Sequence, residues 1–200
     1  MDDLSREYIS DFYTRRLRMF GDSPDALSWT TRGQIERYEA LQSLTAAADG
    51  ESILDYGCGK ADLYGFLRDR GVRVKYTGMD ITPALLDFAA VKYPECSFVL
   101  HDIERAPLER DFDVIFICGV FNLAVEGASD GLRNSMRLLF RHARRCMAVS
   151  ALSSRAAERS FMLNYMDPSE LEGFARDSIS RWVETRLDMV KGDIIMLLRH

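Results

Sequence analysis

The amino-acid sequence predicts an α/β protein: a doubly wound, mostly parallel sheet, with helices ahead of it and an antiparallel hairpin behind it. Three observations carry that expectation. From Glu51 onward, short apolar runs alternate with amphipathic segments, the pattern of repeated strand–helix units. The run Phe112–Cys118, FDVIFIC, is nearly all apolar, as a strand covered on both faces must be. Close to the C-terminus, two strand-like runs flank Lys191-Gly192-Asp193, which reads as a hairpin turn and requires at least one antiparallel strand.

The elements follow in order. Residues 4–20 place Leu4, Tyr8, Phe12, Leu17 and Phe20 at helical spacing with charges between them, and Gly21-Asp22-Ser23-Pro24 breaks that helix. A second helical pattern covers 31–48, with Ile35, Tyr38, Leu41, Thr45 and Ala48 on one face. Ser52–Tyr56 reads as the first strand, Leu63, Phe66 and Leu67 mark a helix ended by Gly71, and Val72–Met79 is the second strand. Thr82-Pro83, an N-cap with proline at the first helical position, opens a helix to about Tyr93. Ser97–Leu100 and Phe112–Cys118 are the third and fourth strands. A helix over 130–144 turns Leu132, Met136, Leu139 and Ala143 inward, and Cys146–Ala151 is the fifth strand. The segment 153–166 is ambiguous, Asp167-Pro168-Ser169-Glu170 starts a short helix, and Arg181–Met189 with Ile194–Arg199 forms the hairpin. No repeat, low-complexity segment or linker interrupts the chain, so residues 1–200 are expected to form a single domain, a helical cap over 1–50 and a core over 51–200.

Composition narrows the function classes. The chain has 200 residues, 47% hydrophobic and 28% charged, which suits one soluble domain with a sizeable core. A net charge of −5 argues against a protein that grips long nucleic acid. Cys58, Cys96, Cys118 and Cys146 lie far apart with no C-x-x-C pair, so no metal site is expected and a reducing, cytoplasmic setting is. The N-terminus lacks the basic start and apolar stretch of a signal peptide, and no apolar run approaches a membrane span.

In a doubly wound sheet, ligands bind at the carboxyl ends of the strands, where the strand order switches. Four strand ends here fall on one edge: Asp55-Tyr56-Gly57-Cys58-Gly59, Gly78-Met79-Asp80-Ile81, His101-Asp102-Ile103 and Cys118-Gly119-Val120-Phe121-Asn122. The paired glycines let backbone pass close to a ligand. Asp80 follows Gly59 at about the spacing at which an acidic residue meets a ribose, and its two oxygens can accept from both hydroxyls. Asp102 can accept from the amino group of an adenine, with Ile81 and Ile103 sandwiching the ring. An adenosine site is implied. A dinucleotide fingerprint would need glycine at position 62, where Asp62 stands, and a carboxylate there repels a pyrophosphate. Gly59-Lys60 lacks the other residues of a P-loop. The expected ligand is an adenosine without phosphates.

The ordered set Asp55-x-Gly57-x-Gly59, Asp80, Asp102 and the apolar strand DFDVIFICG resembles a class I S-adenosylmethionine-dependent methyltransferase from roughly Glu51 to the C-terminus. The resemblance implies a Rossmann-like core closed by an antiparallel seventh strand, S-adenosylmethionine as cofactor and S-adenosylhomocysteine as product. It implies that Gly57 and Gly59 flank the methionine part, with Asp55 and Cys58 of the same turn. Asp80 then takes the ribose, Asp102 with Ile103 meets the adenine beside Ile81, and Cys118-Gly119 floors the sulfonium. The stretch SPDALSWTTRGQIERYEAL resembles the cap of small-molecule members, in which Trp29 would close over the cofactor and Arg37 pair with its carboxylate.

Methyl transfer is an in-line displacement that needs mostly positioning. A general base is required only for a protonated acceptor; the candidates are Tyr13, His101 and Asn122, with Tyr8 behind them. The expected substrate is a small, partly apolar molecule methylated on oxygen or nitrogen, roofed by Phe12, Tyr13, Phe20, Phe121, Phe161 and Tyr165. Carboxylates for a metal-assisted reaction are missing after strand five, where Ser150-Ala151-Leu152-Ser153 stands. Two rival readings remain. Arg133, Arg137, Arg141 and Arg144 form a stripe that an RNA methyltransferase would use, although the Asn/Asp-Pro-Pro-aromatic and Pro-Cys motifs of base methylation are absent. A non-catalytic cofactor-binding module would carry the same cofactor residues.

Overall fold

The computed structural model describes residues 1–200. Seven strands form one sheet in the order β3-β2-β1-β4-β5-β7-β6. They are β1 Ser52–Tyr56, β2 Lys75–Asp80, β3 Ser97–Leu100, β4 Phe112–Cys118, β5 Ala143–Leu152, β6 Trp182–Arg186 and β7 Asp193–Arg199. The first five are parallel, and β7 lies antiparallel between β5 and β6. The chain builds outward from β1 to β3, then returns to lay β4 on the other side of β1, so the order reverses between those two strands. The helices are α1 Asp3–Phe20, α2 Thr31–Thr45, α3 Asp62–Asp69, α4 Pro83–Lys92, α5 Ala128–Phe140 and α6 Pro168–Ser178, with a 3₁₀ turn at Pro24–Leu27.

Side-chain alternation along β4 explains its apolar sequence. Val114, Phe116 and Cys118 point to one face, where they join Tyr38 and Leu41 of α2 and Leu63, Phe66 and Leu67 of α3. Ile115 and Ile117 point to the other, with Leu132, Met136 and Leu139 of α5 and Leu171 of α6. Each fully buried side chain of this kind contributes roughly 1.5–3 kcal/mol of transfer free energy. Local signals start the helices: the Asp2 carboxylate accepts from Ser5 N at 2.8 Å, the Thr30 hydroxyl from Gly33 N at 3.0 Å, and Asp167 from Ser169 N and Glu170 N at 2.8 and 3.0 Å.

Several boundaries differ from the sequence reading. Strand β2 begins at Lys75 rather than Val72, because Val72 N donates to Leu67 O and so closes the end of α3. Helix α5 stops at Phe140, and Ala143, expected on its inner face, opens β5 opposite Phe112 beside an irregularity in that pairing. On α2 the buried stripe is Gln34, Tyr38, Leu41 and Thr45, which leaves Ile35 exposed at its edge and Ala48 beyond the helix. The hairpin strand β6 ends at Arg186, and Asp193, expected in the turn, is the buried first residue of β7. Residues 153–166 form neither helix nor strand; they are tied to the site edge by isolated bridges Leu123–Leu163 and Ser153–Met166.

Helix α1 buries only Ser5 and Ile9, while Leu4 and Met19 are more than 70% exposed. Deleting residues 1–20 should therefore leave a sheet that melts cooperatively by far-UV circular dichroism; a chain that is unfolded would place Ile9 and its neighbours in the essential core.

Asp55 sits in the sheet interior, where its carboxylate accepts from the Tyr76 hydroxyl at 2.5 Å. Burial pushes its carboxyl up to about 7, against the Tyr76 hydrogen bond and with the Asp80 charge. The folded chain thus holds a proton that the unfolded chain loses near pH ~4, so stability falls as pH rises from about 4 to about 7. Urea melts at pH 5 and pH 8 should show this decline in the parent and a flatter profile in Asp55→Asn; equal declines would assign the slope to other groups.

Candidate functional site

The reversal between β1 and β4 opens a cleft of about 790 Å³ over the carboxyl ends of β1–β4. Its floor exists because two residues lack a side chain. A Cβ on Gly57, whose φ is +75°, would lie 2.4 Å from Val120 Cγ2. A Cβ on Gly119, at φ +68°, would lie 2.5 Å from the Trp29 ring. Both residues need a left-handed backbone and bare space, which only glycine supplies without strain.

Asp80 lines this cleft and serves the protein's own turns as well. One of its oxygens accepts from Gly59 N at 2.9 Å and the other from Thr82 N at 2.8 Å. Burial pushes its carboxyl above the usual range, and those two N–H groups pull against the shift. Each oxygen keeps a lone pair for a further donor. Asp102, at the end of β3, accepts from Arg6 Nε at 2.5 Å on one oxygen and from Glu104 N at 2.9 Å on the other.

Three polar atoms on the cleft wall are buried and have no hydrogen-bonding partner: Thr82 Oγ1, Ser135 Oγ and His101 Nε2. Thr82 owes this to its place in the fold. It stands at the N-cap of α4 without making the cap bond, so its hydroxyl is left for whatever enters the cleft. Such orphans, the glycine floor and two strand-end carboxylates fit a polar ligand whose hydroxyl and amino groups match them. The Tyr13 hydroxyl also lines the cleft; burial and the Asp80 charge push it up to about 12, which keeps it a donor and not a base. Burial holds the Cys118 thiol well above its usual range, so it stays protonated.

The roof comes from the N-terminal segment. Ile9 and Tyr13 of α1, Leu27 of the 3₁₀ turn and Trp29 all line the cleft. The segment is pinned by the fully buried Lys60, whose ammonium donates to Asp22 O at 2.7 Å and pairs with Asp22 and Asp62 at 3.2 Å each. Lys92 of α4 reaches the same two carboxylates at 2.6 and 2.9 Å. The Asp62 carboxylate is therefore neutralised by two lysines, and it is not the free repelling charge that the sequence suggested.

Of the residues singled out in the sequence, Tyr13, Trp29, Gly57, Gly59, Asp80, Ile81, His101, Asp102, Cys118 and Gly119 share the cleft wall. Five others do not reach it. Arg37 forms a bidentate pair with Asp193, at 2.6 and 2.8 Å, and lies 5.0 Å from the Trp29 ring centre. Asp55 is held under the sheet edge by Tyr76. Cys58 packs in the interior against Gly78, Ile103 belongs to the core on the α5 side, and Asn122 packs its amide against Gly119 beside the wall. Among the expected roof aromatics only Tyr13 and Phe121 line the cleft, and Phe161 is 93% exposed. Sequence reasoning missed Thr82, Tyr56, Glu104 and Ser135. Thr82 carries a signal in the sequence, but it is that of a helix cap, and Ser135 carries none within its helical pattern.

Comparison with known proteins follows the same lines. Residues 53–142 match a family described as a methyltransferase domain. A putative methyltransferase of Mycobacterium tuberculosis is 28% identical over 159 residues, 76% of this chain and 95% of that protein. A malonyl-[acyl-carrier protein] O-methyltransferase of Serratia marcescens is 34% identical over 64% of this chain, but the match spans only 46% of that protein's length. The magnesium protoporphyrin IX methyltransferase of Synechocystis, solved with bound S-adenosylhomocysteine, shares the fold at a TM-score of 0.68 and 14% identity, covering 98% of this chain and 100% of the other. In the matched domain, in these relatives and in its strand order, this chain is similar to S-adenosylmethionine-dependent methyltransferases.

Proposed function

We propose that the cleft binds S-adenosylmethionine and transfers its methyl group to oxygen or nitrogen of a small, partly apolar molecule in the cytoplasm. The observation that carries this reading is the convergence of Asp80 and Asp102 with the bare glycine floor on one wall. Asp80 would accept from the ribose hydroxyls with its remaining lone pairs, Ile81 would cover the base, and Asp102 would accept from the adenine amino group. The Thr82 hydroxyl and His101 Nε2 supply two further polar contacts on the same wall. Gly57, Gly59, Cys118 and Gly119 would run beneath the methionine part, with Trp29 above it. Arg37 acts on this reading from behind Trp29 and not on the cofactor itself.

When bound, the cofactor supplies an electrophilic methyl group. The chain's own part is to hold the acceptor in line and keep water out. Ile9, Tyr13, Leu27, Trp29 and Phe121 give the acceptor side an apolar surface with one phenolic donor. The protonated Tyr13 suits orienting an acceptor oxygen or nitrogen. The RNA reading loses its main support: helix α5 ends at Phe140, Arg144 lies on β5, and Arg133 is paired with Asp130 and Glu170.

Calorimetry should show binding of S-adenosylhomocysteine and none of NAD at matched concentration, because Gly59 N, which a pyrophosphate would need, is already given to Asp80. Tighter binding of NAD would defeat the adenosine reading. Asp80→Asn should weaken S-adenosylhomocysteine by about tenfold to a hundredfold, the loss of roughly one charge-assisted bond. Asp80→Ala should be weaker still and should also lower the melting temperature, since Gly59 N loses its acceptor. Unchanged affinity in Asp80→Ala would make Asp80 a turn residue only.

A further inference from the structure

We propose that Arg6 is a positioning residue for the purine base: it fixes the Asp102 carboxylate as an acceptor-only group, so that the cleft distinguishes a 6-amino from a 6-oxo purine. The inference rests on the adenosine reading above and adds to it a role for the N-terminal helix.

Helix α1 is a lever held at two points. Just beyond its C-terminal end, Asp22 is fastened by Lys60 and Lys92. At its N-terminal end, the Arg6 fork bridges two carboxylates, Nε to Asp102 at 2.5 Å and Nη2 to Glu104 at 2.8 Å. The side chains of Arg6, Asp102 and Glu104 are 14, 12 and 13% exposed, so this contact is a sheltered one. Between the two fastenings, Ile9 and Tyr13 face the cleft. Closure of the helix and the orientation of the base-facing carboxylate therefore meet in one guanidinium.

The chemistry follows from donor and acceptor counting. Asp102 receives an N–H on each oxygen, from Arg6 and from Glu104 N, and both are donors to it. What it offers the cleft is a remaining lone pair and no proton. A 6-amino group satisfies that lone pair, whereas a 6-oxo group places a second acceptor against it. Two adjacent sheltered carboxylates keep that arrangement only with cations beside them: the Met1 ammonium pairs with Glu104 at 3.1 Å, and Arg6 is the sheltered cation that reaches Asp102. Arg105 does not replace Arg6, since it is 54% exposed and stands 3.9 Å from Asp102. Without the fork, the carboxylate is free to turn, and it can then accept from the N1–H that a 6-oxo base carries beside its oxygen.

Calorimetric titration of the full chain with S-adenosylhomocysteine and with S-inosylhomocysteine, in the parent, Arg6→Gln and Arg6→Lys, tests this. The parent should prefer the amino base by about tenfold or more, and Arg6→Gln should lose about tenfold toward S-adenosylhomocysteine with little change toward the inosyl ligand. Arg6→Lys keeps the cation without the fork and should fall between them. Equal weakening of both ligands would mean that Arg6 merely holds α1 down, and it overturns the inference, as does an unchanged preference in Arg6→Gln. A parent that binds neither ligand overturns the adenosine reading and this inference together, whereas a parent that binds S-adenosylhomocysteine with Arg6→Gln unaltered overturns this inference alone.

Discussion

One buried ammonium sets the position of everything above the cleft. Lys60 follows the glycine turn of β1 and is wholly shielded from solvent. A charge in that setting is tolerated only with opposite charge beside it. Asp62 supplies part of that from the start of α3, and Asp22 supplies the rest from the turn that leaves α1. The turn therefore has to sit over the glycine loop, which brings Leu27 against Gly59 and Trp29 against Gly119. Buried ion pairs add little net stability compared with apolar packing, but they punish every misplacement, so this cluster acts mainly to fix register.

The wall itself is populated by acceptors and neutral donors. Asp80 stands at the opening with no cation paired to it, Asp102 and Glu104 share the Arg6 guanidinium, and Tyr13 and Cys118 keep their protons. A cationic ligand is favoured in such a field and an anionic one is not. The neighbouring ion pair Arg37–Asp193 stays out of that field by pairing internally and by stacking behind Trp29.

Much of this was legible in the sequence, and the reason is local. The bounds of β1 and β4 are legible because an apolar run that stops at glycine leaves little choice, and those of β3 because it lies between Pro94 and Asp102. The gathering of four strand ends followed from counting strands. What stayed hidden depends on distance. Arg37 and Asp193 are 156 positions apart, and Arg6 and Asp102 are 96 apart, so no spacing advertises either pair. Arg37 therefore read as a ligand for the cofactor carboxylate, when its partner is the first residue of the last strand. Thr82 was recognised as an N-cap, but whether a capping hydroxyl bonds its own helix or faces a cleft depends on backbone angles that the sequence does not carry. Ile35 shows the same limit at the scale of one turn, since a helical stripe fixes the buried face only to within a residue at its edge.

The place of β7 between β5 and β6 bears on how the protein comes off the ribosome. Synthesis proceeds from the N-terminus, so β5 is complete well before its neighbour exists, and its outer edge waits with unpaired backbone groups. Strand β6 emerges next but has nothing to pair with, because its partner is also β7. A nascent chain of this topology thus carries two unsatisfied strand edges at once, the condition under which chains associate wrongly. Arg37 likewise waits through nearly the whole of synthesis for Asp193. The same late segment completes the far side of the sheet and supplies the partner of Arg37 behind Trp29, so a truncated or stalled product lacks both.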